Sequence, residues 1–124
     1  MEIIRDKEFV NQYHFDARNK EWEKENGVPT TKIKVDFQLL ERSQEKNTTT
    51  LVNILRFMIV LEHHVISGAF SQRVQLVDRL VQEPTEFTAE EKHTLIEPLL
   101  DILKRMTYDV TEIAFDAPGV NLEF

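Results

Sequence analysis

Thr49-Thr50-Leu51-Val52-Asn53-Ile54-Leu55-Arg56-Phe57-Met58-Ile59-Val60-Leu61 is the stretch on which the fold turns. Read as a strand, with successive side chains on opposite faces, it places Leu51, Leu55, Phe57, Ile59 and Leu61 on one side. Val52, Ile54, Met58 and Val60 fall on the other, so both sides are apolar. A strand of this kind belongs at the centre of a sheet covered twice. One helical layer covers only one face, so a second copy of the chain is expected over Val52, Ile54, Met58 and Val60.

Outward from this strand the pattern becomes half-buried. From Thr31, Ile33, Val35, Phe37 and Leu39 alternate with Lys32, Lys34, Asp36 and Gln38. Asn47-Thr48-Thr49 reads as a turn between the two strands. Downstream, Val65, Ile66, Ala69, Phe70, Val74 and Leu76 mark another strand, with Gly68 a bulge or a point of close backbone approach. Upstream, Phe9, Tyr13 and Phe15 with polar Asn11 and His14 mark the first strand. Asn19 to Asn26 is polar apart from Trp22 and is followed by Gly27 and Pro29, which predicts a loop or one frayed helical turn.

Helical periodicity takes over at Thr88-Ala89-Glu90-Glu91, where threonine and the glutamate three residues on form a capping box. Ile96, Leu99, Leu103, Met106, Val110 and Ile113 then recur at steps of three and four, widened by Leu95 and Ile102. Leu99, Leu103, Met106 and Val110 are the seam residues expected to join subunits. Pro98 lacks a backbone donor, which predicts two helical segments, 88–97 and 98–115. Pro118-Gly119 ends regular structure, and Val120, Leu122 and Phe124 suggest a tail packed back on the body. Strands first and helix last give an α+β domain spanning residues 1–124.

The 124 residues are 41% hydrophobic and 30% charged, the balance of a folded protein with a real core. The net charge of -7 is concentrated from Asp78 onward, where 11 acidic residues face 4 basic ones. Such a field disfavours nucleic acid and anionic lipid as partners. The absence of cysteine removes disulfides and thiolate chemistry. No apolar run approaches the roughly 18 residues of a membrane span, and the Met-Glu-Ile-Ile-Arg-Asp start has no signal-peptide character, so a cytoplasmic location is expected.

Catalysis has no visible address in these residues. His63 and His64 are adjacent, which on a strand sends them to opposite faces. Glu90, His93 and Glu97 resemble half of a carboxylate di-iron motif without its partner half. Asp109, Glu112 and Asp116 share a helix face of the kind that solvent usually covers. Ser67 and Ser71 flank Gly68 without a nucleophile elbow. No cofactor is called for. Trp22, Phe37, Phe57, Phe70 and Phe87 serve either as ordinary core, the usual fate of aromatics in alternating patterns, or as the lining of a groove for extended peptide.

Several marks in fixed order resemble the SecB family of export chaperones. Phe15-Asp16-Ala17-Arg18-Asn19 is similar to the segment closing the first SecB strand, and Ile33-Lys34-Val35-Asp36-Phe37, after Trp22 and Pro29, to its second strand. Gly68-Ala69-Phe70, the proline at Glu97-Pro98-Leu99, and Asp116-Ala117-Pro118-Gly119-Val120-Asn121-Leu122 continue the likeness. The whole resembles a small bacterial group of SecB-like proteins without an assigned function. The resemblance implies a four-stranded antiparallel sheet with C-terminal helices on one side, subunits pairing through strands, and dimers joined by helices into a tetramer. It also implies apolar grooves for unfolded preproteins and an acidic sheet surface that meets the SecA motor. The chain departs from the family in stopping at Phe124 without a further helix, and in a short hairpin at Glu62 to His64. The expected function is a non-catalytic holdase for extended polypeptide, with a link to protein export implied by the resemblance. The alternatives are an adaptor with one dedicated partner and, third, an enzyme with a scattered site.

Overall fold

A computed structural model describes residues 2–124. The chain runs β1 (Glu2–Arg5), β2 (Phe9–Ala17), α1 (Lys20–Asn26), β3 (Lys32–Ser43), β4 (Thr48–Val60), β5 (His64–Val77), a 3-10 turn (Pro84–Glu86) and α2 (Ala89–Phe115). All pairings are antiparallel. β1 and β2 lie end to end along β5, β4 follows, and β3 forms the opposite edge. The sheet therefore has the four positions expected but five strands. Asp6-Lys7-Glu8 interrupts the first position, and β1, too short to show a period, was not foreseen.

α2 packs on β4 and β5. It buries the face that carries Leu51, Leu55, Phe57, Ile59, Ile66, Phe70, Val74 and Leu76. Its own buried row is Leu95, Leu99, Leu103, Thr107 and Thr111, spaced by four, with Ile96 beside it. The core falls into two clusters. Leu55, Phe57, Ile59, Ile66 and Phe70 pack with Ile96, Leu99 and Leu103, while Leu51, Val74 and Leu76 pack with Val81, Phe87 and Leu95.

The helix starts where the sequence places it. Thr88 Oγ1 accepts from the Glu91 amide at 3.1 Å, and Glu91 Oε1 accepts from the Thr88 amide at 2.9 Å. Arg79 also pairs with Glu91, and this hydrogen bond, helped by that from the Thr88 backbone, holds the carboxyl below the usual carboxylate range.

Pro98 corrects the prediction of two segments, because α2 is one helix that runs through it. Proline offers no N–H to the carbonyl four residues back and crowds that turn. The carbonyls of that turn take donors from the sheet instead. Arg5 Nη2 donates to Thr94 O at 2.6 Å and Nη1 to Leu95 O at 3.0 Å. Asn53 Nδ2, wholly buried on β4, donates to Leu95 O at 3.0 Å. Gln72 Oε1 accepts from Arg5 and its Nε2 donates to Asp6 O, which ties β1 to β5 in the same network.

α1 is likewise more regular than predicted, with two helical turns in place of a loop or one frayed turn. Asn19 Oδ1 caps it by accepting from the Trp22 amide at 3.0 Å. Arg18 forks onto Glu23 and also donates to the Leu61 and Glu62 carbonyls, pinning α1 to the end of β4. The tail does pack back: the Val120 amide donates to Thr111 Oγ1 at 2.8 Å and Leu122 joins the core.

Gly68 is a point of close approach. β2 bulges between Val10 and Gln12, and a Cβ on Gly68 would lie 2.1 Å from the Gln12 carbonyl oxygen. Backbone on backbone leaves nothing to rotate away. Gly68→Ala should therefore displace β2 and cost about 1–3 kcal/mol in urea unfolding, the range for overpacking. An unchanged midpoint would show that β2 is not held as described.

Candidate functional site

The five aromatic residues singled out in the sequence form two pairs and one outlier. Phe57 and Phe70 meet at a centroid distance of 4.8 Å inside the larger cluster, and Phe37 meets Phe87 at 5.8 Å in the smaller. Phe57, Phe70 and Phe87 are buried, so in this state of the subunit they offer no surface to a ligand. Phe37 is half-buried, and Trp22 on α1 stands 57% exposed outside both clusters.

The seam residues also separate. Leu99 and Leu103 are fully buried between α2 and the sheet, which corrects their assignment to a subunit interface: the helix's own sheet consumes them. Met106 and Val110 belong to a second stripe, Ile102, Met106, Val110 and Ile113, on the flank of that buried row. Its members are half-buried except Ile113, which is 81% exposed. Helical period alone did not separate the two rows, because both are apolar.

The face of the sheet away from α2 can be followed through the strand register, since residues paired across antiparallel strands share a side. Val52, Ile54, Arg56, Met58 and Val60 on β4 lie opposite Gln38, Asp36, Lys34 and Lys32 on β3, and Arg73, Ser71, Ala69, Ser67 and Val65 on β5. Val52, Ile54 and Val60 are half-buried and Met58 is exposed. Ile4 on β1 and Phe9 on β2, opposite Gln75 and Ser71, are 49% and 62% exposed on the same face, so its apolar residues extend from β4 to the β1–β2 edge. One shallow depression of about 440 Å³, lined in part by Val52, Ile54 and Ala69, opens here, and another of about 400 Å³ lies near the β3 edge around Lys32, Ile33, Lys34 and Met58, residues drawn from both faces.

This face lacks the acidic character that the resemblance implied. Lys32, Lys34, Arg56 and Arg73 balance Glu2, Asp16, Asp36 and Glu41 across its registers. Arg56 and Asp36 pair at 2.7 Å. The acidic excess lies instead beyond Asp78, on the helical side of the sequence.

The edge strand β3 is unevenly covered. Phe87 packs on Phe37, and Arg42 donates to the Gln82 carbonyl and side chain, so residues 82–87 shield its C-terminal half. Lys32 to Asp36 are all exposed, and the α2-side residues Ile33 and Val35 are each 36% exposed although the alternation reads them as core-facing. The sequence shows that the strand exists. Only the strand order reveals that it is an edge beyond the cover of the helix.

Among the described residues no three His, Asp or Glu side chains gather as a metal would require. His63 is exposed beside Glu62, and His64 stacks on Phe15 at 4.5 Å with Phe115 near by. Among the described residues no helix is long and apolar enough to cross a membrane.

The family model described as Protein of unknown function (DUF1149) matches residues 1–124. A crystal structure of a protein of unknown function from Streptococcus agalactiae is 55% identical, with a TM-score of 0.97 over 100% of this chain and 98% of that one. A SecB-like chaperone from Mycobacterium tuberculosis, in complex with a ChAD peptide from the HigA1 antitoxin, has a TM-score of 0.54 at 11% identity, over 98% of this chain and 90% of that one. Its likeness is one of fold. No curated protein matches the chain.

Proposed function

The chain belongs to the DUF1149 family, and from its SecB-like fold and uncovered apolar surface we propose a non-catalytic, cytoplasmic homo-oligomer that holds extended polypeptide segments. The observation that carries this reading is the double apolar character of β4, only one side of which the chain's own helix covers. Exposed Met58, Ile33 and Val35 and the stripe through Ile113 add to the surplus. Apolar surface at several separate places suits either copies of the chain or a pliable guest, since an extended guest buries alternate side chains while strand edges satisfy its backbone. Trp22 and Phe37 are the two proposed peptide-contacting aromatics that keep accessible surface.

Light scattering of a refolding client provides the test. Stoichiometric amounts of the protein should suppress aggregation of several unrelated clients, and unaltered aggregation in molar excess would end the holdase reading. The complex of the M. tuberculosis SecB-like chaperone with a single antitoxin peptide favours a second reading, an adaptor with one dedicated partner. In that case the clients aggregate as before, and a pull-down enriches one protein.

A further inference from the structure

We propose that the exposed half of β3 pairs with the same strand of a second copy, antiparallel and centred on Val35. The proposal rests on the homo-oligomer part of the function above and is independent of whether any client is held.

The open edge is available because residues 82–87 shield only its other half. Lys32, Ile33, Lys34, Val35 and Asp36 are all exposed, and among the described residues the edge presents backbone donors and acceptors with no neighbouring strand. Self-pairing must keep faces matched. A slip of one residue would set Ile33 and Val35 of one copy beside the polar row of the other.

Charge then selects among the face-matched registers. Centring on Lys34 sets Lys34 against itself, centring on Asp36 sets Asp36 against itself, and centring on Ile33 sets Lys32 against Lys34. Like charges directly opposite are destabilising. Centring on Val35 gives Lys34 opposite Asp36 twice, Lys32 opposite Gln38 twice, Ile33 opposite Phe37 twice, and Val35 against its copy. Asp36 already accepts from Arg56, so Lys34 of the second copy completes a row of alternating sign. The α2-side faces of the two copies become one continuous apolar surface, and Ile33 and Val35 gain the neighbours they lack in a single copy. The symmetry is two-fold and self-complementary.

The chain contains no cysteine, so a single introduced thiol reports on the axis without background. In full-length protein, Val35→Cys should form an intermolecular disulfide under mild oxidation, because paired residues lie within bonding reach. Ile33→Cys should not, since its copy would lie roughly 13 Å away along the ladder. Lys34→Asp should weaken the dimer at least tenfold in analytical ultracentrifugation, and adding Asp36→Lys should restore it, the new aspartate also facing Arg56 across the β3–β4 pair. A dimer that persists while Val35→Cys stays uncrosslinked refutes the β3 pairing and leaves the oligomer reading intact. A monomer at all concentrations refutes both, and crosslinking of Ile33→Cys as fast as Val35→Cys refutes the register.

Discussion

Leu103→Asp should abolish folding, whereas Met106→Asp should leave a folded subunit with altered assembly. Leu103 is fully buried in the larger core cluster, with Leu55, Phe57, Ile59 and Phe70 among its members. A carboxylate there is either an unpaired charge or a protonated acid in a cavity, and the loss exceeds about 4 kcal/mol, a large part of the stability of a domain this size. Met106 lies on the half-exposed flank of α2, where a carboxylate keeps its contact with water. Circular dichroism with sedimentation separates the outcomes. A cooperatively folded Leu103→Asp variant would show that the buried row of α2 is not the core of the subunit.

Asn53→Ala should cost about 2–3 kcal/mol, from the lost bond to Leu95 O together with the cavity left on β4. Arg5→Ala should cost about 2 kcal/mol, in the range for hydrogen bonds with a charged partner. The diagnostic quantity is its coupling to Pro98. Pro98→Ala returns a backbone donor to the turn that Arg5 serves, so Arg5→Ala should then cost about 1 kcal/mol less. A double-mutant cycle by urea denaturation measures this. Strict additivity would mean that Arg5 supports β1 by other means and that α2 tolerates Pro98 without its help.

These two experiments address the places where the sequence was least explicit. Alternation over Leu51 to Leu61 and Ile33 to Leu39 was enough to identify β4 and β3, and Thr88 with Glu91 marked the start of α2 to the residue. What held Pro98 inside a helix was not legible, because its partners, Arg5 and Asn53, lie on strands distant in the chain. α1 escaped for a related reason. Its anchor is a charged pair, Arg18 with Glu23, and hydrophobic periodicity cannot register a helix docked by charge. Pattern also tells which residues share a face without telling what lies over it. Leu103 and Met106 looked alike in the seam, yet one is sealed inside the subunit and the other borders solvent.

The candidate surfaces were legible in the same partial way. The two-sided character of β4 was read directly, and the half-exposure of Val52, Ile54 and Val60 follows from it. The grouping of five aromatics into one groove had no such basis, because residues on different strands share a cluster only once strand order is known. Phe57 and Phe70 are adjacent because β4 pairs with β5 in the register that brings them near, and Trp22 lies on an element of its own.

The two borders of the sheet are built differently. One is split between Arg5 and Phe9 and kinked again at Asn11, while the other, up to Leu39, is straight. A ribbon that can be extended only on one margin stops growing after a single union, because the outward margins of the pair are then both the broken kind. Such a chain can leave half of one strand bare without inviting fibres, since fibre growth needs two matching ends and this molecule has one.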